Sequence, residues 1–130
     1  MLSIFRGTTV PALEQTASFA ETRHSLLAGN IANLDTPNYQ ARDLSVNSFQ
    51  QALAGAIERN HSASYSTDQI DPMVQVGEGV DQLLYHDGGD LNLERQVTEM
   101  AKNQQMHNLA VSLMRNQFQV LQTAISERVV

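Results

Sequence analysis

The sequence predicts an all-α protein. Two long terminal helices pack as a coiled-coil-like pair, and a largely extended or irregular middle insert orders on assembly. Three observations predict this. Apolar residues recur every three or four positions near both ends of the chain. No Gly or Pro occurs after Gly89. The stretch between the two periodic ends is dominated by Ser, Asn, Thr, Gly and Asp. Residues 1–37 form the N-terminal helix and its exit, 38–90 the insert, and 91–130 the C-terminal helix. The two ends together make one assembly domain.

In the first element, Leu13, Ala17, Ala20, His24, Leu27, Ile31 and Leu34 step 4-3-4-3-4-3. This is a heptad seam, apolar except at His24. Pro11 falls in the first turn, where its missing N–H costs nothing. Thr36 precedes Pro37 and is pushed out of the helical region, so the helix ends before it. Asn33 and Asp35 can satisfy or replace the last turn's backbone bonds. A helix over 11–34 would run roughly 35 Å.

The last element is longer. Val97, Met100, Gln104, His107, Val111, Met114, Phe118, Leu121 and Ile125 step 3-4-3-4-3-4-3-4. A second stripe passes through Met106, Ala110, Leu113, Val120 and Ala124. Asn92 is a suitable N-cap, and Glu94 and Glu99 favour the positive helix start. At about 50 Å, the helix carries more apolar surface than one shorter partner can cover. The excess predicts contacts with other chains.

In the middle, Phe49, Ala52, Leu53, Ala56 and Ile57 share the face of one short amphipathic helix. Met73, Val74, Val76 and Val80, near Gly77 and Gly79, are a candidate strand. Leu83-Leu84-Tyr85 before Asp87-Gly-Gly-Asp90 reads as a strand entering a turn, so a hairpin is possible here. Some fifty residues of weak pattern fit poorly inside a compact domain.

Composition narrows the function. Charged residues make up 17 % and hydrophobic ones 42 %, while 13 Gln and 9 Asn fill the polar share. Amides can hydrogen-bond across a protein contact without desolvating full charges. The net charge is −6 and Lys102 is the one lysine. No basic patch is available to neutralise phosphates, so neither nucleic acid nor an anionic membrane surface is an expected partner. The absence of cysteine excludes disulfides and thiolate metal sites. Met1-Leu-Ser-Ile-Phe-Arg-Gly7 has no charged region followed by a long apolar run. A cleavable signal peptide is therefore not expected, and no stretch reaches the length of a membrane span.

No catalytic, cofactor-binding or metal-ligating arrangement stands out, and neither an enzyme nor a small-molecule substrate is expected. His24, His61, His86 and His107 lack metal-ligand spacing. His24 and His107 both fall on the seams, where two tolerated polar positions outweigh a hydrogen-bonding or pH-sensitive layer. Asp87-Gly-Gly-Asp90 with Glu94 does not have the spacing of a calcium loop. Gly77-Glu-Gly79 lacks the Lys-Ser/Thr of a phosphate loop, and no Gly-x-Ser-x-Gly elbow occurs.

One motif is more specific. Asn30-Ile31-Ala32-Asn33-Leu34-Asp35-Thr36-Pro37-Asn38-Tyr39 joins a helix end, two amides and a proline-enforced exit. Ile31 and Leu34 hold the helix end to its partner. Asn30 and Asn33 offer amides to orphan carbonyls or to a neighbouring chain. Tyr39 can bury its ring with the hydroxyl paired.

These residues resemble the signature of the flagellar axial proteins, the rod and hook subunits. The likeness continues through Tyr39-Gln-Ala-Arg42-Asp43 and from Tyr85 to Leu91-Asn-Leu93-Glu94. It closes on Asn103, Leu113, Phe118, Leu121 and Ala124-Ile125. Asp35-Thr36-Pro37 is similar to the proximal rod subunits rather than their sister type. Asn92 stands where the family often has Asp, His107 where it often has Tyr, and Asn38 where it often has Gly. Residues 45–82 match weakly.

The resemblance implies a structural rod subunit exported by the flagellar type III apparatus and assembled in the periplasmic space. Its partners would be copies of itself, other rod subunits, the membrane-ring and adapter proteins at the rod base, and the export apparatus. The subunit interface would draw on the motif residues and on Leu13, Leu27, Val97, Met100, Val111, Met114, Phe118, Leu121 and Ile125. Phe49-Gln-Gln-Ala-Leu53 fits a short element with which related subunits engage the export gate. The alternative is a helical adaptor or chaperone-like module that holds a single cytosolic partner through the same seams.

Overall fold

The computed structural model describes residues 8–62, 83–85 and 93–127. They form α1 (Val10–Ala32), β1 (Arg42–Leu44), α2 (Val46–Ser62), β2 (Leu83–Tyr85) and α3 (Leu93–Glu127). The protein is mostly helical, as its periodicity predicts.

Helix α1 carries proline in its first turn and ends on Asn33. Asn33 donates both its backbone N–H (3.2 Å) and its side-chain Nδ2 (2.8 Å) to the carbonyl of Gly29. The last turn is thus closed by the residue that follows it. Thr36, Pro37, Asn38 and Tyr39 then make a turn, with the Tyr39 N–H bonded to the Thr36 carbonyl at 3.2 Å. Asn38 sits there at φ 60°. Proline followed by a left-handed residue is the pattern of a type II turn.

The turn feeds β1, which pairs antiparallel with β2 in the register Arg42↔Tyr85, Asp43↔Leu84 and Leu44↔Leu83. Ser45 opens α2: its Oγ accepts from the Ser48 N–H at 3.2 Å, as an N-cap should.

The short helix read in the middle is Val46–Ser62, 17 residues long, and its apolar face makes the core with α1. Phe49 and Phe19 stack with ring centroids 4.1 Å apart. Leu44 and Ala56 join them, with Leu26, Leu53 and, from α3, Met106 around the edge. The amphipathic face read from the sequence is the one buried here. Period alone could not show that the opposing surface would be a phenylalanine on α1 that lies off its heptad seam. Candidate features at Met73–Val80, Asp87–Asp90 and Asn92, and the side chains of His61 and His86, lie outside the described residues.

Helix α3 spans 35 residues against 23 for α1, roughly 52 Å against 35 Å. The two run antiparallel: Asn30 meets Gln96, Arg23 meets Glu99, and Ala20 meets Asn103. The line of α3 buried most deeply is Gln96, Asn103 and Ala110, one residue before the expected apolar stripe. Val97, Phe118 and Ile125 are instead 50 %, 46 % and 68 % exposed. Hydropathy places amides outward. Here they face inward because each has a partner across the helix pair, and a paired amide can be buried.

Candidate functional site

Where α1 ends, its last turns, β1 and the start of α3 meet at two buried polar side chains, Arg23 and Asn30. They lie seven residues apart on one face of α1 and are 5 % and 1 % exposed.

Asn30 uses its whole hydrogen-bonding capacity inside the chain. Its Nδ2 donates to the Arg42 carbonyl (2.7 Å) and to Gln96 Oε1 (3.2 Å). Its Oδ1 accepts from the Arg42 N–H (3.0 Å) and the Tyr39 hydroxyl (3.2 Å). One amide therefore engages both backbone groups of Arg42, as a third strand would. It also ties in the exit turn and α3. Two donors and two acceptors are all that an Asn side chain has.

Arg23 forms a second knot. Its Nε and Nη2 donate to the two carboxylate oxygens of Asp43, both at 2.8 Å, and Nη2 also reaches Glu99 at 2.9 Å. Asp43 Oδ1 further accepts the Leu44 N–H at 2.7 Å. The fork of the guanidinium suits a two-pronged contact of this kind. The hydrogen bond to Asp43 is the main influence raising the pKa of Arg23 further above its ordinary value; burial opposes it, and Glu99 adds to it. Glu99 is held below its ordinary value of 4.5, chiefly by Arg23 and then by Lys102, against the opposing effect of burial. The charged forms are thus mutually stabilised, and α1, β1 and α3 are pinned at one level.

One turn further along α3, Asn103 Nδ2 donates to the Ala20 carbonyl at 2.6 Å. Sequence reading missed Arg23, Asp43, Gln96, Glu99 and Asn103 as a group. The available signal was the heptad interval between Arg23 and Asn30 and between Gln96 and Asn103.

Of the residues expected at a subunit interface, Leu27 and Asn30 are buried in the chain. Leu13, Ile31, Asn33, Leu34, Tyr39, Met100, Val111, Met114 and Leu121 are half-buried. Ala32, Asp35, Thr36, Pro37, Val97, Phe118 and Ile125 are exposed. Phe49 is 3 % exposed and Leu53 half-buried in the α1–α2 core. Among the described residues no three His, Asp or Glu side chains gather where they could hold a metal ion, and no helix is long and apolar enough to cross a membrane.

The helix pair is pinned by interior polar knots near the start of α3 and exposes apolar residues towards its end. Three comparisons define its class. A flagellar basal body rod protein FlgB of Bacillus subtilis (strain 168) is 28 % identical over 130 residues, covering 96 % of this chain and 98 % of the relative. FlgB of Aquifex aeolicus (strain VF5) is 30 % identical over 104 residues, 78 % of each chain. FlgB of Escherichia coli (strain K12) is 30 % identical over 109 residues, 73 % of this chain and 76 % of the relative. No family model matches the chain. The chain belongs to the FlgB family of flagellar basal body rod proteins.

Proposed function

We propose that this chain is a proximal rod subunit that leaves the cytoplasm unfolded through the flagellar export apparatus and polymerises in the periplasmic space through its terminal helices. It acts by packing, not by catalysis. Its neighbours are copies of itself, other rod subunits, and the ring and adapter proteins at the rod base. The observation that carries this reading is the C-terminal half of α3. Leu113, Val120 and Ile125 are 43 %, 58 % and 68 % exposed on a helix that outruns α1 by twelve residues, 35 against 23. Apolar surface of this kind marks a contact, and a coiled-coil-like packing of α1 and α3 against neighbouring helices would cover it. In the motif, Ile31, Ala32, Leu34, Asp35, Thr36 and Pro37 would meet a neighbour at the helix exit, while Asn30 and Asn33 hold the exit in shape. Phe49 and Leu53 would reach an export gate in the unfolded chain, since the fold covers Phe49.

Leu121→Asp and Ile125→Asp test the reading. The variants should be secreted at normal levels and fail to enter purified basal bodies, with loss of motility. A charge on a covered apolar site costs several kcal/mol, and the cost recurs at every contact of a polymer. Wild-type incorporation of both variants would refute polymerisation through α3.

A further inference from the structure

Between α1 and α3, beside Ala20, lies a cleft of about 330 Å³. Its walls are Glu21 and His24 from α1 and Asn103, Gln104 and His107 from α3. The two seam histidines, eighty-three residues apart in the sequence, therefore share one cavity.

Asn103 is 1 % exposed, and its Nδ2 is already bonded to the Ala20 carbonyl. Its Oδ1, which can only accept, has no hydrogen-bond partner, and neither has the covered Nδ1 of His24. A buried acceptor left without a donor is costly and is rare in folded proteins. Gln104 donates one Nε2 N–H to Asn108 at 3.0 Å and keeps an amide oxygen that can accept. Glu21, exposed at the rim, adds a carboxylate. No Lys or Arg lines the cleft. An unpaired acceptor at the floor with a carboxylate at the mouth suits a cationic N–H donor.

The chain carries such donors elsewhere. Arg42, Arg59, Arg95 and Arg115 are exposed, and none takes part in an ion pair among the described residues. We propose that this cleft docks an exposed arginine of a second copy of the chain. The inference rests on the polymerising role proposed above and assigns one of its contacts. The guanidinium presses between His24 and Gln104 toward Asn103 Oδ1 and pairs with Glu21 at the mouth. Where each copy gives its arginine to one neighbour and receives one from another, the contact is heterologous and extends into an open polymer.

Charge exchange tests it in a flagellated host, with subunit in purified basal bodies measured against subunit secreted. Glu21→Arg should leave secretion and helicity unchanged, since Glu21 is exposed, and lower incorporation by about tenfold or more through like-charge repulsion. One of Arg42→Glu, Arg59→Glu, Arg95→Glu or Arg115→Glu, added to Glu21→Arg in the same chain, should restore incorporation to within about twofold. Incorporation of Glu21→Arg at the wild-type level overturns the docking site. Restoration by none of the four overturns the second copy as the source of the cation. Leu121→Asp, carried in parallel, separates the two readings. If it is excluded from basal bodies while Glu21→Arg is incorporated, the cleft assignment alone fails; if both are incorporated normally, polymerisation through α3 fails as well.

Discussion

The two ends of α3 invert the usual arrangement. Its first turns bury polar side chains, Gln96 and Asn103, and put the carboxylate of Glu99 against a buried arginine. Its last turns expose Val120 and Ile125. Burial of polar groups stabilises only when geometry satisfies them, and it favours one arrangement of partners over slipped ones. Exposed apolar groups contribute little until something covers them. The difference divides the labour along one helix: the beginning specifies how α3 sits on α1, and the end is left to make contact.

The strongest way to break this comparison is to weaken the first half. Phe49→Ala removes the ring stacked on Phe19 and should cost about 3–5 kcal/mol. Arg23→Met should cost about 2–4 kcal/mol, because it leaves Asp43 without its cation and Glu99 with Lys102 alone; the figure is reduced because both carboxylates reach solvent in part. Urea denaturation of the purified chain measures both. Val120→Ala and Ile125→Ala should stay within about half a kcal/mol in the same experiment, while lowering incorporation into basal bodies. Equal losses from the two halves would abolish the distinction.

Asn30 sharpens it. Asn30→Ala removes four hydrogen bonds at one stroke and leaves the N–H and carbonyl of Arg42 without them. A loss of about 2–3 kcal/mol is expected. Asn30→Asp keeps both acceptors but loses both donors, to the Arg42 carbonyl and to Gln96, and should also destabilise. Hydrogen exchange at the Arg42 amide distinguishes the two variants: protection should be lost with alanine and partly kept with aspartate. Equal protection in both would mean that the amide does not hold β1.

How much of this was legible in the sequence follows from what each signal encodes. Periodicity located α1 and α3, and Pro37 located the exit of α1, because these are local effects of backbone sterics and side-chain spacing. The amphipathic face of Phe49 and Ala56 was legible for the same reason. The knots were not. Arg23 is the one charge among the buried residues of α1, and its partners stand twenty and seventy-six residues away. Nothing local says that Asp43 and Glu99 converge on it. Nor does hydropathy show that Gln96 and Asn103 turn inward, since an amide is buried or exposed according to partners that only the fold supplies. Asn30 was singled out for its place in a motif, while its four partners needed the turn, the strand and the far helix together.

Acid should act on the first half through Glu99. Glu99 titrates below its ordinary 4.5 because Arg23 and Lys102 favour its charged form. A group with a lowered folded pKa contributes stability that is present above the unfolded value and is lost as pH falls through the folded value. The contribution of Glu99 should therefore be unaffected from neutral pH down to about 5. Below 4.5 the wild type should lose stability faster than Glu99→Gln. Parallel pH curves for the two proteins would show that Glu99 is not coupled to folding.

The smallest expected effect lies at the hinge between the halves of the motif. Asn38 holds φ 60° after Pro37. An L-residue other than Gly, Asn or Asp pays roughly 1–2 kcal/mol for that conformation, because its Cβ crowds the following carbonyl. Asn38→Ala should therefore cost about 1 kcal/mol, since Asn already carries part of the same strain. Asn38→Gly removes the Cβ and relieves the native turn, but it enlarges the unfolded ensemble by a similar amount. The two effects offset, and the variant should lie within about half a kcal/mol of wild type. Because the turn carries Tyr39 to Asn30, the alanine variant should also weaken the Tyr39–Asn30 hydrogen bond, and the glycine variant should keep it. Combining Asn38→Ala with Tyr39→Phe tests this link: a loss smaller than the sum of the single losses shows that turn and knot are coupled. Strict additivity would mean that the left-handed residue shapes the exit without helping to position the amide.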